Sequence, residues 1–561
     1  MRLVRLSARK TGGLAALALL SLFPAVGSVP HAAGQSPGSP NILVILTDDQ
    51  RAMDTMEHMP KTLQWFGQGG TTFTEAFATT PLCCPSRAAI MTGRFNHNNN
   101  VRTNGDQAQL DHNSTIQRYL SQAGYRTGMA GKFLNLWPVE QNPPHFDRWA
   151  LLRPENSGYY NGRFNVDGTT QTVGDYSTDF IRDYALDVID DWESTDARPW
   201  YLSLSPYAPH DPADPAVRHA ATTFPLWPGN PAVFETDKSD KHPSVRNASR
   251  TYEEALVDRD RQLRTLLAVD ELVDAIFQRL EQRGEQDTLA FFLSDNGFFW
   301  AEHGLRGKDR PYTEAIKIPF LMRWPGRVAA GATHGSPVAN IDVAPTIMDT
   351  AGITPDPQYP MDGRSLLGQG PRRKMLTESW PPTARGPWAS TRTPQYQYME
   401  YYNRDTGALR FLEYYDLAAD PSQLTNLYRD GTPRNDPWRG ALARELSELK
   451  TCVGQACLDL LREPGIPFRC PGAVKKPGHH LVGSDARDRI NGHPWRQVLC
   501  GLRGRDVLRG KGGRDRLIGH GGRDKLVGGP GPDLLIGKGG RDVCRGGPGR
   551  DRFRSCAVER R

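Results

Sequence analysis

The segment PLCCPSRAAIMTGR, residues 81–94, combines residue types that could bind and attack an anion. Pro85 suits the first turn of a helix, and Gly93 suits its end. Cys83 is therefore expected at or just before a helix N-terminus, where free backbone N–H groups and the helix dipole favour negative charge. Arg87 would lie one turn into this helix. The spacing thus predicts a cysteine held beside an anion-binding position.

Acidic and amide side chains follow two apolar runs of the sequence. The first run is Asn41–Leu46 and the second is residues 287–293. Continuous apolar runs of this length are typical of strands buried on both faces of a parallel sheet. Ligands of such sheets gather at the carboxyl ends of the strands. The side chains expected at that edge are Asp48, Asp49, Asp295 and Asn296.

The elements between these runs predict the fold class. A third apolar run, Trp200–Ser205, leads to His210, and Ala255–Leu280 has apolar residues at helical spacing with Gly284 at its end. Strands that alternate with helices predict an α/β fold with helices on both faces of the sheet. Short aromatic runs after residue 385 favour a smaller antiparallel subdomain, and a helix is expected over Asp436–Lys450.

The cysteine segment resembles the signature of the sulfatase family, C-x-P-S-R-x-x-x-(L/M)-T-G-R. The resemblance covers roughly residues 40–430 and implies an alkaline-phosphatase-like α/β fold, with the sheet sandwiched by helices. In this family the first cysteine is oxidised to formylglycine by a formylglycine-generating enzyme. The resemblance implies catalytic roles for Cys83, Arg87, Lys132, His210 and Lys308, and calcium ligation by Asp48, Asp49, Cys83, Asp295 and Asn296.

These residue types suit the hydrolysis of a sulfate monoester. The family resemblance implies that one hydroxyl of the formylglycine hydrate attacks sulfur, while calcium, Arg87 and the two lysines stabilise negative charge. Lys308 or His210 would protonate the leaving alcohol. Loss of a proton from the second hydroxyl would then expel sulfate and restore the aldehyde.

One departure from the common family pattern bears on the substrate. Many sulfatases have histidine two residues after the first lysine, whereas this chain has Leu134 there. A similar G-K-Y-L-N string occurs in the glucosamine-6-sulfatase and extracellular heparan endosulfatase branch, so a sulfated carbohydrate or an aryl sulfate is the expected substrate. The base of the elimination step stays open, and the candidates for further site contacts are His97, Asn135 and His303.

Two other functions remain open from the sequence. The alkaline-phosphatase superfamily includes phosphoester and phosphonate hydrolases that share the fold, although the C-x-P-S-R element argues against a Ser/Thr phosphatase. The chain could instead be a glycan-binding surface protein whose sulfatase fold is inert. The basic tail described next would suit that second alternative.

The C-terminal tail is a nine-residue repeat. Aspartates recur at positions 506, 515, 524, 533, 542 and 551, and 17 of the 56 glycines lie in residues 501–550. This pattern resembles the glycine-rich nonapeptide calcium repeats of secreted β-roll proteins. Arginine precedes five of the six aspartates, which would weaken a calcium site. A β-roll with calcium and a β-roll without it are both compatible with the sequence.

Charge is distributed unevenly along the 561 residues. The formal net charge is +6, but residues 481–561 carry 19 Lys and Arg against nine Asp and Glu, a local charge of +10. The basic N-terminal residues before the first apolar stretch add four more positive charges, so residues 11–480 are acidic. A nucleic-acid-binding function for the whole chain is therefore disfavoured.

The N-terminus and the cysteines indicate export. A basic start, a short Leu- and Ala-rich stretch and small residues near position 33 are typical of a signal peptide, and no stable membrane span is expected. We therefore expect a secreted or cell-surface protein. Six cysteines in the last quarter predict three disulfides with 15 possible pairings. The expected organisation is a signal peptide (1–33), a catalytic domain (40–370), a smaller subdomain (371–470), a linker (471–485) and the repeats (486–556).

Overall fold

The structure is a computed structural model that describes residues 39–153, 158–195, 198–368, 370–380, 386–431, 437, 439–463, 480–482 and 487–560. The predicted signal peptide and nearly all of the predicted linker lie outside these residues. Within the linker segment, residues 480–482 form a strand of the tail.

A ten-stranded mixed sheet forms the centre of the catalytic part. Its order is β11-β2-β10-β9-β1-β8-β4-β5-β6-β7. The five strands from β9 to β5 in this order are parallel, whereas β10, β6 and β7 run antiparallel to their neighbours. The strands are β1 Asn41–Thr47, β2 Thr71–Phe73, β3 Ala76–Phe77, β4 Arg126–Lys132, β5 Arg148–Arg153, β6 Gly162–Val166, β7 Thr169–Val173, β8 Trp200–Ser205, β9 Thr288–Ser294, β10 Phe320–Arg323, β11 Ala332–His334 and β12 Val338–Ala339. Strands β3 and β12 pair separately.

Helices cover both faces of this sheet, which confirms the predicted layers. The helices are α1 Pro60–Thr62, α2 Cys83–Thr92, α3 Asn96–Asn99, α4 Ile116–Gln122, α5 Ser177–Glu193, α6 Pro243–Arg246, α7 Tyr252–Arg283, α8 Thr313–Ile316, α9 Val343–Thr350, α10 Arg439–Leu449 and α11 Gln455–Arg462. Short 3-10 and π segments join them. Alternate residues of β1 point to opposite faces: Leu43 and Ile45 pack with α5 and α7, and Ile42, Val44 and Leu46 pack with α2, α4 and α9.

Capping residues explain where helix α7 begins and ends. The Thr251 hydroxyl accepts a hydrogen bond from the Glu254 N–H, and the Glu254 carboxylate accepts one from the Thr251 N–H. At the other end Gly284 has a φ of 78°, a left-handed conformation that suits glycine. Helix α7 is therefore longer than the predicted Ala255–Leu280 at both ends, and it ends at the predicted glycine.

A smaller antiparallel sheet follows, as predicted. It consists of β13 Met375–Ser379, β14 Trp388–Arg392, β15 Tyr396–Tyr402 and β16 Leu409–Asp416, paired in that order. Apolar residues of this sheet share a core with residues of the catalytic part, including Phe77, Ala89 and Ile341. The expected helix after it is α10.

The tail is a parallel two-sheet roll. One sheet contains β17 His480–Val482, β19 Val498–Gly504, β21 Arg516–Gly522, β23 Leu534–Gly539 and β25 Arg552–Arg554. The other contains β18 Arg489–Asn491, β20 Val507–Arg509, β22 Lys525–Val527, β24 Val543–Arg545 and β26 Val558–Arg560. From β19 and β20 to β25 and β24, paired residues are 18 apart, so two nonapeptides make one turn. The inward-facing residues are Leu499, Leu508, Leu517, Leu526, Leu535 and Cys544.

Disulfides lie in the C-terminal quarter, as expected for an exported chain. Cys452 is bonded to Cys457, and Cys544 to Cys556. Cys83 and Cys84 are buried free thiols. Among the residues that the structure describes, no helix has the length and apolar character needed to cross a membrane.

Candidate active site

The ends of two neighbouring strands bring the predicted acids together. Strands β1 and β9 are parallel, with Thr47 opposite Ser294, so the residues that follow them meet at one edge of the sheet. The Asp49 N–H donates to Asp295 Oδ1 at 3.1 Å, and Asp49 has a φ of 70°. The carboxylates of Asp48, Asp49 and Asp295 are buried.

Helix α2 directs Cys83 toward this acidic cluster. The helix begins at Cys83 and ends at Gly93, whose φ is 66°, as the sequence predicted. Cys83 Sγ lies 3.3 Å from Asp48 Oδ1 and 3.8 Å from Asp49 Oδ1. The next residue has another environment, because the Cys84 N–H donates to Asn104 Oδ1 at 3.1 Å. Of the two adjacent thiols, only Cys83 contacts the acids.

Three cations surround the same carboxylates; Lys132 and Arg87 are buried, and Lys308 is partly exposed. Lys132, at the end of β4, donates to Asp48, and Lys308 donates to Asp49. Lys308 Nζ also lies 2.6 Å from Cys83 Sγ. Arg87 Nε donates to Asp295 Oδ2 at 2.9 Å. The cluster therefore combines a nucleophilic position with charges that could stabilise an anion.

His210 faces the cluster with a defined ring nitrogen. Its Nδ1 lies 2.7 Å from the backbone oxygen of Asp211, which can only accept a hydrogen bond, so Nδ1 carries a proton. The other nitrogen, Nε2, lies 3.6 Å from Asp49 Oδ2. The His210 side chain is 25% exposed, and it stacks on Tyr207 at a centroid distance of 4.6 Å. Nε2 is thus the nitrogen able to exchange a proton at the site.

Burial and the surrounding charges change the ionisation of the cluster. Burial would raise the pKa of Asp48, but Lys132, His210, Arg87 and Lys308 lower it far below the usual range. Burial and the Asp48 carboxylate raise the pKa of the Cys83 thiol. Burial would lower the pKa of Lys308, but Asp49 and its neighbours raise it. Asp48 is therefore ionised, and Lys308 is cationic at neutral pH.

The oxygen atoms at this edge fit a hard divalent cation. The ligand atoms of Asp48, Asp49, Cys83 and His210 all lie within 4.8 Å of one another. Asn296 Nδ2 donates to Asp49 Oδ1 at 2.7 Å, whereas Asn296 Oδ1 is buried with no hydrogen-bond partner among the described residues. A buried amide oxygen without a donor suits a calcium ligand.

Comparison with protein families identifies the catalytic part. Residues 40–353, more than half of the chain, match the family described as Sulfatase. The chain belongs to the sulfatase family. Residues 301–451 of this sulfatase match the family N-sulphoglucosamine sulphohydrolase, C-terminal, and residues 501–535 and 518–553 match the RTX calcium-binding nonapeptide repeat.

The individual relatives include proteins named N-acetylglucosamine-6-sulfatase and extracellular sulfatase. The chain is 31% identical to N-acetylglucosamine-6-sulfatase of Homo sapiens in an alignment 517 residues long, which covers 80% of this chain and 90% of that protein. It is 35% identical over 365 residues to the extracellular sulfatase SULF-1 homolog of Drosophila melanogaster, which covers 61% of this chain. The chain spans only 32% of the length of that relative.

A solved structure supports the fold assignment. It is the structure of a protein in complex with its substrate D-glucosamine-2-N,6-O-disulfate. That protein matches this chain with a TM-score of 0.62 and 25% sequence identity. The match covers 75% of this sulfatase and 98% of that chain. The alkaline-phosphatase-like arrangement expected from the sequence is therefore confirmed.

Three candidate residues lie outside the cluster of this sulfatase. His97 Nδ1 pairs with Glu378 Oε1 at 2.9 Å, at the contact with the smaller sheet. His303 is buried and its Nδ1 lies 2.7 Å from Glu235 Oε2. Asn135 provides a backbone hydrogen bond to Cys84. No hydrogen bond or ion pair among the described residues joins these three to the acidic cluster.

Two further residues position the site and were missed from the sequence. The Ser86 hydroxyl donates to the backbone oxygen of Asp295. Asn340 Nδ2 donates to Ser86 Oγ at 2.8 Å, and its Oδ1 accepts from the Thr79 N–H at 3.1 Å. These bonds join α2 to the end of β9. Ser86 lies within the signature, whereas no motif described above includes Asn340.

Proposed function

We propose that this sulfatase hydrolyses sulfate monoesters of carbohydrates, with Cys83 as the precursor of its nucleophile. The observation that carries the proposal is the position of Cys83 Sγ, 3.3 Å from Asp48 Oδ1 and 2.6 Å from Lys308 Nζ. Membership of the sulfatase family supports the same conclusion.

The proposal requires one covalent modification and one metal. A formylglycine-generating enzyme would oxidise Cys83, and the hydrated aldehyde supplies one hydroxyl for attack on sulfur and a second whose deprotonation releases sulfate. Asp48, Asp49, Asp295, Asn296 and residue 83 would hold calcium, which would supply positive charge for the sulfate group.

Arg87 and the two lysines orient the reacting groups. Lys308 already donates toward position 83 and Asp49, so its ammonium group can bind an oxygen at the point of attack. Lys132 donates to Asp48 Oδ2, whereas Cys83 contacts Oδ1 of the same carboxylate, so Lys132 can bind a second sulfate oxygen. Arg87 donates to Asp295 and to the backbone oxygen of Lys132, at 2.9 Å and 2.7 Å, and so fixes both the acid and the lysine.

His210 is the residue that can transfer protons. Its Nε2 faces the cluster while Nδ1 is held by the Asp211 carbonyl. In the proposed reaction the attacking hydroxyl loses its proton to a neighbouring carboxylate of the cluster as the new oxygen–sulfur bond forms, and Nε2–H protonates the leaving alcohol as the sulfur–oxygen ester bond breaks. The now neutral Nε2 accepts the proton from the second hydroxyl as sulfate leaves. One histidine would then serve first as the acid and then as the base. Leu134 stands where many sulfatases have a second histidine, and its side chain can neither donate nor accept a proton.

The substrate class follows from the relatives. The human relative is named N-acetylglucosamine-6-sulfatase, and the solved structure contains D-glucosamine-2-N,6-O-disulfate. We therefore infer a 6-O-sulfated glucosamine unit as the preferred substrate. Relatives named extracellular sulfatases and the calcium-repeat family match support secretion and calcium binding by the tail as parts of the same proposal.

The experiment compares Cys83 with its neighbour. Purified protein from the native host is analysed by peptide mass spectrometry at residue 83, and kcat/KM is measured on 4-nitrophenyl sulfate, 4-nitrophenyl phosphate and glucosamine 6-O-sulfate. We expect formylglycine at position 83, a preference for sulfate, no activity in Cys83→Ala, and retained activity in the matched control Cys84→Ala. A preference for the phosphate ester would assign the site to phosphoester hydrolysis instead. An unmodified thiol without sulfatase activity would leave an inert sulfatase fold.

A further inference from the structure

The aspartate side chains of the tail repeats lie in the interior of the roll. The Asp506 N–H donates to Asp524 Oδ1 at 2.9 Å, and the Asp524 N–H donates to Asp542 Oδ1 at 2.9 Å. The other row of aspartates repeats this arrangement, from Asp515 to Asp533 at 2.8 Å. From residue 498 to residue 554 each aspartate is buried or half-buried. The carboxylates therefore contribute no exposed acidic side chain to this surface.

The arginines that precede these aspartates face solvent. Arg505, Arg523 and Arg541 are all exposed, and they precede the successively bonded aspartates 506, 524 and 542. They therefore occupy equivalent positions on three consecutive turns. Adjacent strands are roughly 4.8 Å apart, so the row is closely spaced. We call these three residues the arginine row.

The second row of aspartates is preceded by a row of exposed arginines that a proline interrupts. Arg514 and Arg550 are exposed, but the residue between them in the 18-residue register is Pro532. Its two arginines are thus two turns apart. This interrupted row offers a control of the same charge with twice the spacing.

Between residues 498 and 554, every charged side chain that the structure describes as exposed is cationic. Surfaces of soluble proteins usually mix both signs of charge, and a surface of one sign attracts a polyion of the other. The additional exposed cations between these two positions are Arg509, Lys511, Lys525, Lys538, Arg545, Arg552 and Arg554.

We propose that the arginine row of the tail binds a sulfated polysaccharide, the polymeric form of the substrate that the active site hydrolyses. This inference rests on the proposed function for the choice of polymer. Guanidinium groups donate two parallel hydrogen bonds to an oxyanion, and closely spaced arginines match a chain with closely spaced sulfates. A single-stranded nucleic acid fits less well, because Phe553 is the sole aromatic residue between positions 498 and 554, and base binding uses rows of aromatic side chains.

Binding at the arginine row would affect the hydrolysis of polymers and not that of single sulfated sugars. Binding of the polymer by the tail raises the local concentration of sulfate esters for the same protein molecule. Loss of the contact should therefore raise KM for a polymer and leave kcat unchanged. Hydrolysis of a single sulfated sugar should not change, since one unit cannot engage the tail and the active site together.

The test uses the full chain and two double variants of equal charge. Arg505→Gln/Arg523→Gln removes adjacent members of the arginine row, and Arg514→Gln/Arg550→Gln removes the interrupted pair. The probes are heparin, chemically desulfated heparin and single-stranded DNA, with binding measured at several salt concentrations. Thermal unfolding of both variants checks that the fold is retained, as expected for exposed side chains.

The first variant should bind heparin about tenfold more weakly, the factor expected from the loss of two exposed ion pairs. The control variant should lose less than threefold in affinity. Equal losses in both variants, equal binding of desulfated heparin, or tighter binding of DNA would overturn the proposal. The absence of sulfatase activity would refute the proposed function separately, because heparin binding is measured without turnover.

Discussion

Arg87 Nε donates to Asp295 Oδ2 at 2.9 Å, and both side chains are buried. The pair joins the first turns of α2 to the residue that follows β9, two segments more than 200 positions apart in the sequence. Burial would lower the pKa of Arg87, but Asp295 and Asp48 raise it, so the arginine stays charged. The helix that carries Cys83 is thus held against the sheet by a buried ion pair.

We expect Arg87→Met to destabilise the catalytic part, because it leaves buried carboxylates without this cation. The loss should be about 3–5 kcal/mol in the free energy of unfolding, as for other broken buried pairs. Chemical denaturation in the presence of chelator measures it. The control is Arg182→Met, which breaks the partly exposed pair with Asp179 and should cost at most about 1 kcal/mol. Equal losses for the two variants would show that the Arg87 pair is not a structural tie.

Asn296 provides a test of the metal site. Its Oδ1 is buried without a partner among the described residues, and we expect it to bind calcium. Asn296→Leu should raise the calcium concentration for half-maximal activity by roughly tenfold or more. Chelation should abolish the activity of the unaltered enzyme, and added calcium should restore it.

The matched control for this prediction is Asn113→Leu, at an exposed asparagine outside the cluster. Its calcium requirement should equal that of the unaltered enzyme. If Asn296→Leu keeps the normal calcium dependence while remaining folded, Asn296 is not a ligand.

The parts of the site carried by local patterns were predictable from the sequence. Apolar runs that end in Asp48-Asp49 and Asp295-Asn296 placed these residues at strand ends, and parallel strands bring such ends to one edge. Pro85 and Gly93 set the ends of α2. These signals act over a few residues, so they can be read without knowledge of the tertiary structure.

Other parts depend on tertiary packing, which the sequence patterns do not encode. Strand β10 runs antiparallel between β2 and β9, and its four residues carry no signal of direction. The bonds of Asn340 to Ser86 and Thr79 join residues more than 250 positions apart. His97 follows the signature closely, yet it points to Glu378 of the smaller sheet. Its closeness to the signature in the sequence therefore does not bring the His97 side chain to the acidic cluster.

His210 should affect the reaction according to the leaving group. If Nε2–H protonates the departing alcohol, His210→Ala should lower kcat/KM for a sugar sulfate by about 10²–10⁴. The loss should be much smaller for 4-nitrophenyl sulfate, whose leaving group needs little protonation. The two substrates assayed with one variant provide the comparison, and the control His58→Ala, outside the cluster, should affect neither. An equal loss on both substrates would assign His210 to binding rather than to proton transfer.

The tail should respond to pH in the direction set by its buried aspartates. Burial raises the pKa of Asp533 to about 7 and the pKa of Asp515 and Asp524 to about 6, whereas the unfolded chain has values near 3.9. The folded tail therefore retains protons that the unfolded chain releases. Its stability is highest at acid pH, falls as the pH rises from about 4 to about 7, and then levels off. Bound calcium would replace the protons and remove this loss.

Hydrogen exchange of the full chain, followed by mass spectrometry, measures this effect. In chelator, protection factors for peptides of β21–β23 should fall between pH 5 and pH 8, after correction for intrinsic exchange rates. With calcium they should stay high at both values. Asp533→Asn, which resembles the protonated side chain, should reduce the pH dependence in chelator, and peptides of β1 and β9 should show none in either protein. Constant protection of the tail in chelator from pH 5 to pH 8 would contradict the assignment, because ionisation of the buried carboxylates would then carry no cost in stability.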